Sequence, residues 1–416
     1  MVSALGPLRT GRLFHLSARF CGYRRNSNHA VYGAGLSASG SFAKPSLVLK
    51  ENRGVKVVKP QRLAYCNKKK IKHIAAGFGY SLFASSDHLH GSGINNFYQL
   101  GGPVRTDAHR RSEEWYIGGR TIPLPEDCGK IIGVAAGRLH SLVATTKALF
   151  AFGNNAHGQC GKNPELHPFV AHTKNNGLPR VDLPSESPIV KVHACLDTSF
   201  ALLEDGTLFA FGLSEDGQVG NGRFGIIWSP SKVVGDLEGE KIVSISGSTD
   251  TLIALSDKGD VFGWGQNEYG QFSAITDEMQ VNLPRHLPFN IGQAVSAATT
   301  GSSCIVANAN GDCYVWGYQI LGLGPSMTST KTPLHLDRPL FASATGGDSA
   351  IKQVFGGNLM MAAITESGNV YSWGSNRFGA LGLGHDNDQL FPYPVFIPLS
   401  VRGISLGPDH SLFLAS

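Results

Sequence analysis

VYSWGSNRFGALGLG, residues 370–384, decides how this chain folds. Apolar and small residues alternate up to Gly374, and a second glycine, Gly379, follows five residues later. Alternation with period two is a strand with one face turned inward. Glycine after an aromatic run supplies a positive φ or lets another backbone approach. The phrase occurs seven times: VYGAG at 31–35, LHGSG at 89–93, LFAFG at 149–153, LFAFG at 208–212, VFGWG at 261–265, CYVWG at 313–317 and VYSWG at 370–374. The closing glycines are Gly35, Gly93, Gly153, Gly212, Gly265, Gly317 and Gly374, spaced by 58, 60, 59, 53, 52 and 57 residues. The second glycine recurs as Gly40, Gly158, Gly217, Gly270, Gly322 and Gly379, and Tyr98 breaks the series.

A second phrase interleaves with the first. AAGFGYSLFA (75–84), AAGRLHSLVA (135–144), SLGPDHSLFLA (405–415) and SISGSTDTLIA (244–254) are one unit; ACLDTSFAL (194–202), TTGSSCIVA (299–307) and VFGGNLMMAA (354–363) are degenerate copies. Its histidine is His140 and His410, and the alignment puts Tyr80, Thr198, Asp250, Ser303 and Leu359 at that position elsewhere. Asp205-Gly206, Lys258-Gly259, Asn310-Gly311 and Ser367-Gly368 separate the phrases and mark tight hairpins. One copy is a small antiparallel sheet that cannot bury its faces alone. Radial stacking buries both faces and protects the edges. Units near fifty residues fit four strands each, whereas helical repeats are shorter. The expected fold is all-β: a seven-bladed β-propeller of four-stranded antiparallel blades over residues 29–416. The last copy ends at Ala415 without a hairpin partner, and the first begins at Val31 with no strand before it. The strand at 30–35 is therefore expected to complete a last blade built from 386–416.

Composition agrees with this reading. The chain has 416 residues, 42% hydrophobic and 16% charged. That is globular, too apolar for disorder. Its 52 glycines exceed the usual ~7%, and without a G-X-Y period they are turn residues, not collagen. The formal net charge is +5, and residues 1–28 hold Arg9, Arg12, Arg19, Arg24 and Arg25 with no acidic residue. Removing those five from 36 basic residues leaves 31 against 31 acidic ones. The body has no global cationic field, which argues against DNA as a partner. Residues 1–28 read as a mitochondrial transit peptide, since arginines interrupt every apolar run that a secretory signal would need. The expected location is the mitochondrion, in the matrix or on the inner-membrane surface. Seven cysteines with no C-x-x-C spacing argue against a disulfide framework or zinc ribbon. No apolar run is long enough to span a bilayer.

Together the two phrases resemble the regulator of chromosome condensation repeat family, with its V-Y-x-W-G element, G-Q-L-G-like turn and A-x-G-x-x-H-S-L element. The match is strongest at 370–384, at LFAFGNNAHGQCG (149–161), at VAAGRLHSL (134–142) and at GPDHSL (407–412). It covers about residues 30–416, and it implies a seven-bladed propeller. The arginine-rich start and the GNNAHGQCG turn are most similar to the mitochondrial, guanine-exchange-factor-like branch. For that branch the resemblance implies a dynamin-like fusion GTPase of the inner membrane as partner. The alternative is a scaffold for mitochondrial ribosomal RNA and its pseudouridine synthases in ribosome assembly and translation. The chain departs from the family in carrying tryptophan only before Gly265, Gly317 and Gly374. Exchange activity is implied by the resemblance and has no residue-by-residue counterpart here.

Motifs for chemistry are missing. Gly161-Lys162 is followed by Asn163, so no Walker loop exists, and neither H-E-x-x-H nor G-x-S-x-G occurs. No enzyme activity and no cofactor are expected. His88 and His90 share a strand face but lack further ligands for a metal. His140 and His410 recur at one repeat position, which points to a shared hydrogen-bonding role. Lys68, Lys69, Lys70 and Lys72 form the one dense basic run: contacts for RNA phosphates or acidic lipid, or charge guarding a strand edge. Two long connections, 101–120 and 162–180, are where binding residues concentrate on a rigid scaffold. In the first, Arg110, Arg111, Glu113, Glu114 and Trp115 are the candidate partner contacts, because tryptophan and arginine dominate interface hot spots. The plain reading of that stretch is an extra strand or surface loop.

Overall fold

The computed structural model describes residues 29–48, 55–102, 116–172, 177–342 and 349–416. The described chain forms seven antiparallel sheets around an axis. Blade 1 holds His73–Ala76, Tyr80–Ala84, Leu89–Ile94 and Tyr116–Ile122. Blades 2 to 6 begin with first strands Ile131–Ala136, Ile189–Cys195, Ile242–Ser248, Ala294–Thr299 and Ile351–Gly356, each followed outward by its successors. First strands of neighbouring blades line a cavity of about 650 Å³ on the axis. Second strands, such as His140–Thr145 and Met360–Thr365, are buried at every residue because a blade covers each face. Fourth strands are mostly open, as in Gln389–Val395, where only Pro392 and Val395 are buried.

The ring closes as the terminal phrases require, but the N-terminal segment supplies two of the four strands instead of one. Blade 7 orders Val401–Leu406, His410–Ala415, Ala30–Leu36 and Lys56–Arg62 from the axis outward. Ala30 pairs with Ala415 and Gly35 with His410. Lys56–Arg62 adds the outermost strand, through Tyr32–Arg62 and Leu36–Lys56. Its sequence, KVVKPQR, hides this role. Proline and cations weaken the pattern of a central strand, and they suit an edge whose N–H groups need no partner. Residues 386–416 are correspondingly not one blade: Gln389–Val395 is the outer strand of blade 6.

Each closing glycine solves the same steric problem. All seven have positive φ, from 90° at Gly265 to 124° at Gly212. A Cβ at Gly265 would lie 2.0 Å from the Asp250 carbonyl oxygen, and one at Gly35 2.6 Å from that of Asp409. The next amide then donates to that same oxygen: Gln266 to Asp250 at 2.9 Å, Leu36 to Asp409 at 2.8 Å. The third strand thus bulges over the turn before the second strand and caps it.

This pairing also fixes the repeat register. The residue opposite the glycine is Tyr80, His140, Thr198, Thr251, Ser303, Met360 or His410. Asp250 and Leu359 therefore stand one place earlier than the sequence alignment put them. The shared hydrogen-bonding role of the histidines is visible as stitches between blades. His140 Nε2 meets Ser199 Oγ of blade 3 at 2.9 Å, and His410 Nε2 meets Ser81 Oγ of blade 1 at 2.8 Å. Tyr80 donates its hydroxyl to Gly137 O at 3.2 Å in blade 2.

Candidate functional site

The propeller has two unlike faces. One carries the turns between first and second strands and the connections between third and fourth; it is called the loop face here. The other carries the hairpins between second and third strands and the links to the next blade.

On the loop face, a buried amide pair holds the connections of blades 1, 2 and 4 open. Asn155 Oδ1 accepts from the Cys160 amide at 2.8 Å, and its Nδ2 donates to Lys162 O and His167 O at 3.0 and 2.7 Å. Gln159 Oε1 accepts from the His157 amide at 2.9 Å. Asn95 with Gln99 and Asn267 with Gln271 repeat the arrangement: Asn95 Oδ1 takes the Leu100 amide at 2.7 Å, and Asn267 Oδ1 takes that of Phe272 at 2.7 Å. Ser214 and Gln218 do the same with a hydroxyl. The two residues between the clamps stand out from the surface: Asn96-Phe97, Ala156-His157, Glu215-Asp216, Glu268-Tyr269 and Arg377-Phe378, the first of each pair being exposed. A side chain presented from a clamped loop loses little entropy on binding.

Two sectors of this face differ in chemistry. Blades 1 and 2 present aromatics. Tyr98, at the position that is glycine elsewhere, holds φ at 64° and packs its ring 6.0 Å from Phe169, which also meets Phe97 at 5.9 Å. Leu166 is 72% exposed, and Trp228 of blade 3, 43% exposed, borders an open pocket of about 500 Å³ with Pro164, Pro168 and Ile226. Blades 3 and 4 present acid: the exposed Glu215 and Glu268, and Asp216, which with Asp197 acts on Asp250. Burial first, then the neighbouring Asp216, pushes the Asp250 carboxyl up to about 6. Arg138 pairs with the buried Asp197. The clamp residues and the acidic sector were not singled out from sequence, although Asn or Ser four residues before Gln, after Gly93, Gly153, Gly212 and Gly265, is a readable signal.

The sequence candidates fall in different places. Arg110, Arg111, Glu113, Glu114 and Trp115 lie outside the described residues, in the connection from the third to the fourth strand of blade 1. The end of that long stretch is the strand Tyr116–Ile122, which pairs with Leu89–Ile94. The second long connection supplies blade 2 with an outer strand in two pieces, Phe169–Val170 and Arg180–Val181.

Lys68, Lys69, Lys70 and Lys72 are on the other face, in the link between Lys56–Arg62 and His73–Ala76. The run flanks two edge strands, Lys56–Arg62 of blade 7 and His73–Ala76 of blade 1. Lys68 and Lys70 hold φ of 66° and 50°, strain of about 1 kcal/mol each for a residue with a Cβ. Lys69 Nζ sits 4.2 Å over the Tyr65 ring, and Lys72 Nζ donates to Ser86 Oγ at 2.8 Å. The exposed Lys352 and Arg402 occupy the register position of Lys72 in blades 6 and 7.

His88 and His90 stack at 6.3 Å, and His90 Nδ1 lies 3.1 Å from Thr121 Oγ1. Among the described residues no three His, Cys, Asp or Glu side chains are grouped to hold a metal. The described cysteines are free and buried, and burial pushes the Cys66 thiol up to about 12. No described helix is long and apolar enough to cross a membrane.

Comparison with known proteins adds the following. The model of the regulator of chromosome condensation (RCC1) repeat matches residues 205–255, 258–307 and 367–414, and a second RCC1 repeat model matches 242–271 and 351–380. The RCC1-like G exchanging factor-like protein of Mus musculus is 34% identical over 418 residues, covering 95% of this chain and 89% of that protein. The crystal structure of human WBSCR16 superposes with a TM-score of 0.84 at 32% identity, covering 93% of this chain and 100% of that one. Prp20p of Saccharomyces cerevisiae, studied for its binding to Gsp1p and histones, shares the fold at a TM-score of 0.70 and 18% identity, covering 93% and 91%.

Proposed function

The chain belongs to the RCC1 repeat family, alongside the RCC1-like G exchanging factor-like proteins, and from that membership we propose that it is a non-catalytic exchange factor for a mitochondrial, dynamin-like fusion GTPase. The observation that carries the reading is the clamped loop face. It holds an aromatic sector for a protein surface beside an acidic sector formed by Glu215, Asp216 and Glu268. Carboxylates held rigidly against a nucleotide site compete with phosphates for the cations that bind them. An exchange factor needs no chemistry of its own; it stabilises the empty GTPase more than the loaded one. The reading places the protein in the mitochondrion, at the matrix or inner-membrane surface, with residues 1–28 as the import segment. Binding is measured by calorimetry against the inner-membrane fusion GTPase, empty and GDP-loaded. The empty form is expected to bind about a hundredfold tighter, a coupling of about 2.7 kcal/mol. Equal affinities would overturn the reading.

A second reading is supported by the opposite face, where the exposed Lys68, Lys70 and Lys72 share a side with Lys352 and Arg402. There the propeller would scaffold mitochondrial ribosomal RNA and its pseudouridine synthases in ribosome assembly and translation. Phosphate contacts release counterions, so each lost contact flattens the salt slope by about 0.7–0.9. Changing Lys68, Lys69, Lys70 and Lys72 to Gln should weaken RNA binding and flatten its salt dependence. Unchanged binding would remove RNA from this face.

A further inference from the structure

The first strand of blade 3 puts an unusual cation into the wall of the axial cavity. Lys191, in Ile189–Cys195, lines that cavity and donates its Nζ to Ser244 Oγ of blade 4 at 3.0 Å. Among the described residues it has no carboxylate partner. The other cations of the wall do: Arg138 pairs with Asp197, and Lys352 Nζ lies 3.6 Å from Glu366 Oε2. Burial lowers the Lys191 ammonium to about 8. Half-buried on a strand that lines the cavity and with no carboxylate beside it, this ammonium is free to pair with an anion that enters the channel.

The surroundings limit what that anion is attached to. His193, two residues on and on the same strand face, donates from Nε2 to Gly247 O at 3.0 Å. Burial lowers His193 to about 4, so its other nitrogen is an acceptor and adds no second positive charge. The neighbouring wall is apolar at Val134, Val192 and Ile245. Val295, 50% exposed, lines the cavity, and Val190 and Val243 beside Lys191 and Ser244 are 47% and 48% exposed. These three occupy one register position, the bulged residue of the first strand in blades 3, 4 and 5. One unpaired positive charge next to an aliphatic arc matches a ligand with one anionic head and an apolar body. The cavity volume is in the range of small-molecule sites.

We propose that the axial channel binds a small organic anion with an apolar body, its carboxylate or phosphate head on Lys191 Nζ and its body against the aliphatic arc of blades 3 to 5. The test is calorimetry on the full chain with octanoate, octyl phosphate and neutral octanol. At least one of the two anions should bind about tenfold tighter than octanol, and which one does so identifies the head group. Lys191→Met keeps the apolar stem and should reduce that anion to the level of octanol, while Lys191→Arg retains the preference. A second measurement does not depend on any variant: octanoate or octyl phosphate should slow acetylation of Lys191 by an activated ester and leave Lys352 unaffected, read by peptide mass spectrometry. Anions that bind no better than octanol, a Lys191→Met variant that keeps the preference, or an unprotected Lys191 would overturn the proposal.

Discussion

Gly265 stands for a position that tolerates nothing larger. Its φ is 90°, and an added methyl would press against the Asp250 carbonyl at 2.0 Å. Gly265→Ala should destabilise the propeller by about 3 kcal/mol or more, because both φ and space forbid the Cβ. Gly403→Ala, where nothing lies within 4 Å, should change stability by less than about 0.5 kcal/mol; chemical denaturation measures both. The buried histidines give a pH signature. Burial lowers His90, His140 and His193 to about 4, while in the unfolded chain each titrates near ~6.5. Between those values the unfolded state binds more protons, so stability falls as pH drops from about 6.5 to 4. Asp250, raised to about 6, works in the opposite direction as a single group against three. His140→Asn should therefore make the acid loss shallower, by up to about 1.4 kcal/mol per pH unit, in melts taken between pH 7 and pH 4.5. An unchanged slope would mean that His140 is protonated in the fold.

Elements were legible in the sequence to the extent that they repeat. The seven closing glycines, the hairpin dipeptides and the strand at 30–35 could be read because one steric problem recurs in every blade. Lys56–Arg62 could not be read, because an outer strand has one neighbour and its pattern is free to carry Pro60 and three cations. The register at Asp250 and Leu359 slipped because degenerate copies leave only backbone pairing to set it. The clamped loops went unread for another reason. Their Asn and Gln side chains bind backbone atoms within the same loop, so they leave no apolar period to follow. The connection 103–115 remains an expectation at this scale. In sequence it joins the strands Leu89–Ile94 and Tyr116–Ile122. Trp115→Ala with Arg110→Ala should cost the protein partner about 2 kcal/mol if these are hot spots and leave RNA affinity unchanged. Full retention of the partner would make the segment only a connection.

The whole molecule is a closed ring, and closure is what makes binding without chemistry plausible. The N-terminal strands Ala30–Leu36 and Lys56–Arg62 complete the sheet begun by Val401–Leu406 and His410–Ala415. Side-chain stitches such as His410 to Ser81 then fix one blade to the next. A rigid ring presents two faces of opposite character: aromatic and acidic on the loop side, basic around Lys68–Lys72 on the other. Family membership and the ring could be read from the repeats, but the choice of partner could not, because it depends on residues that differ from blade to blade. Release of fluorescent GDP from the mitochondrial fusion GTPase tests most directly whether the loop face acts on a GTPase. Wild-type protein should accelerate release by about a hundredfold or more, and Glu215→Gln with Glu268→Gln should lose at least about tenfold of that without lowering the melting temperature. A release rate that is the same with and without the propeller would contradict the account.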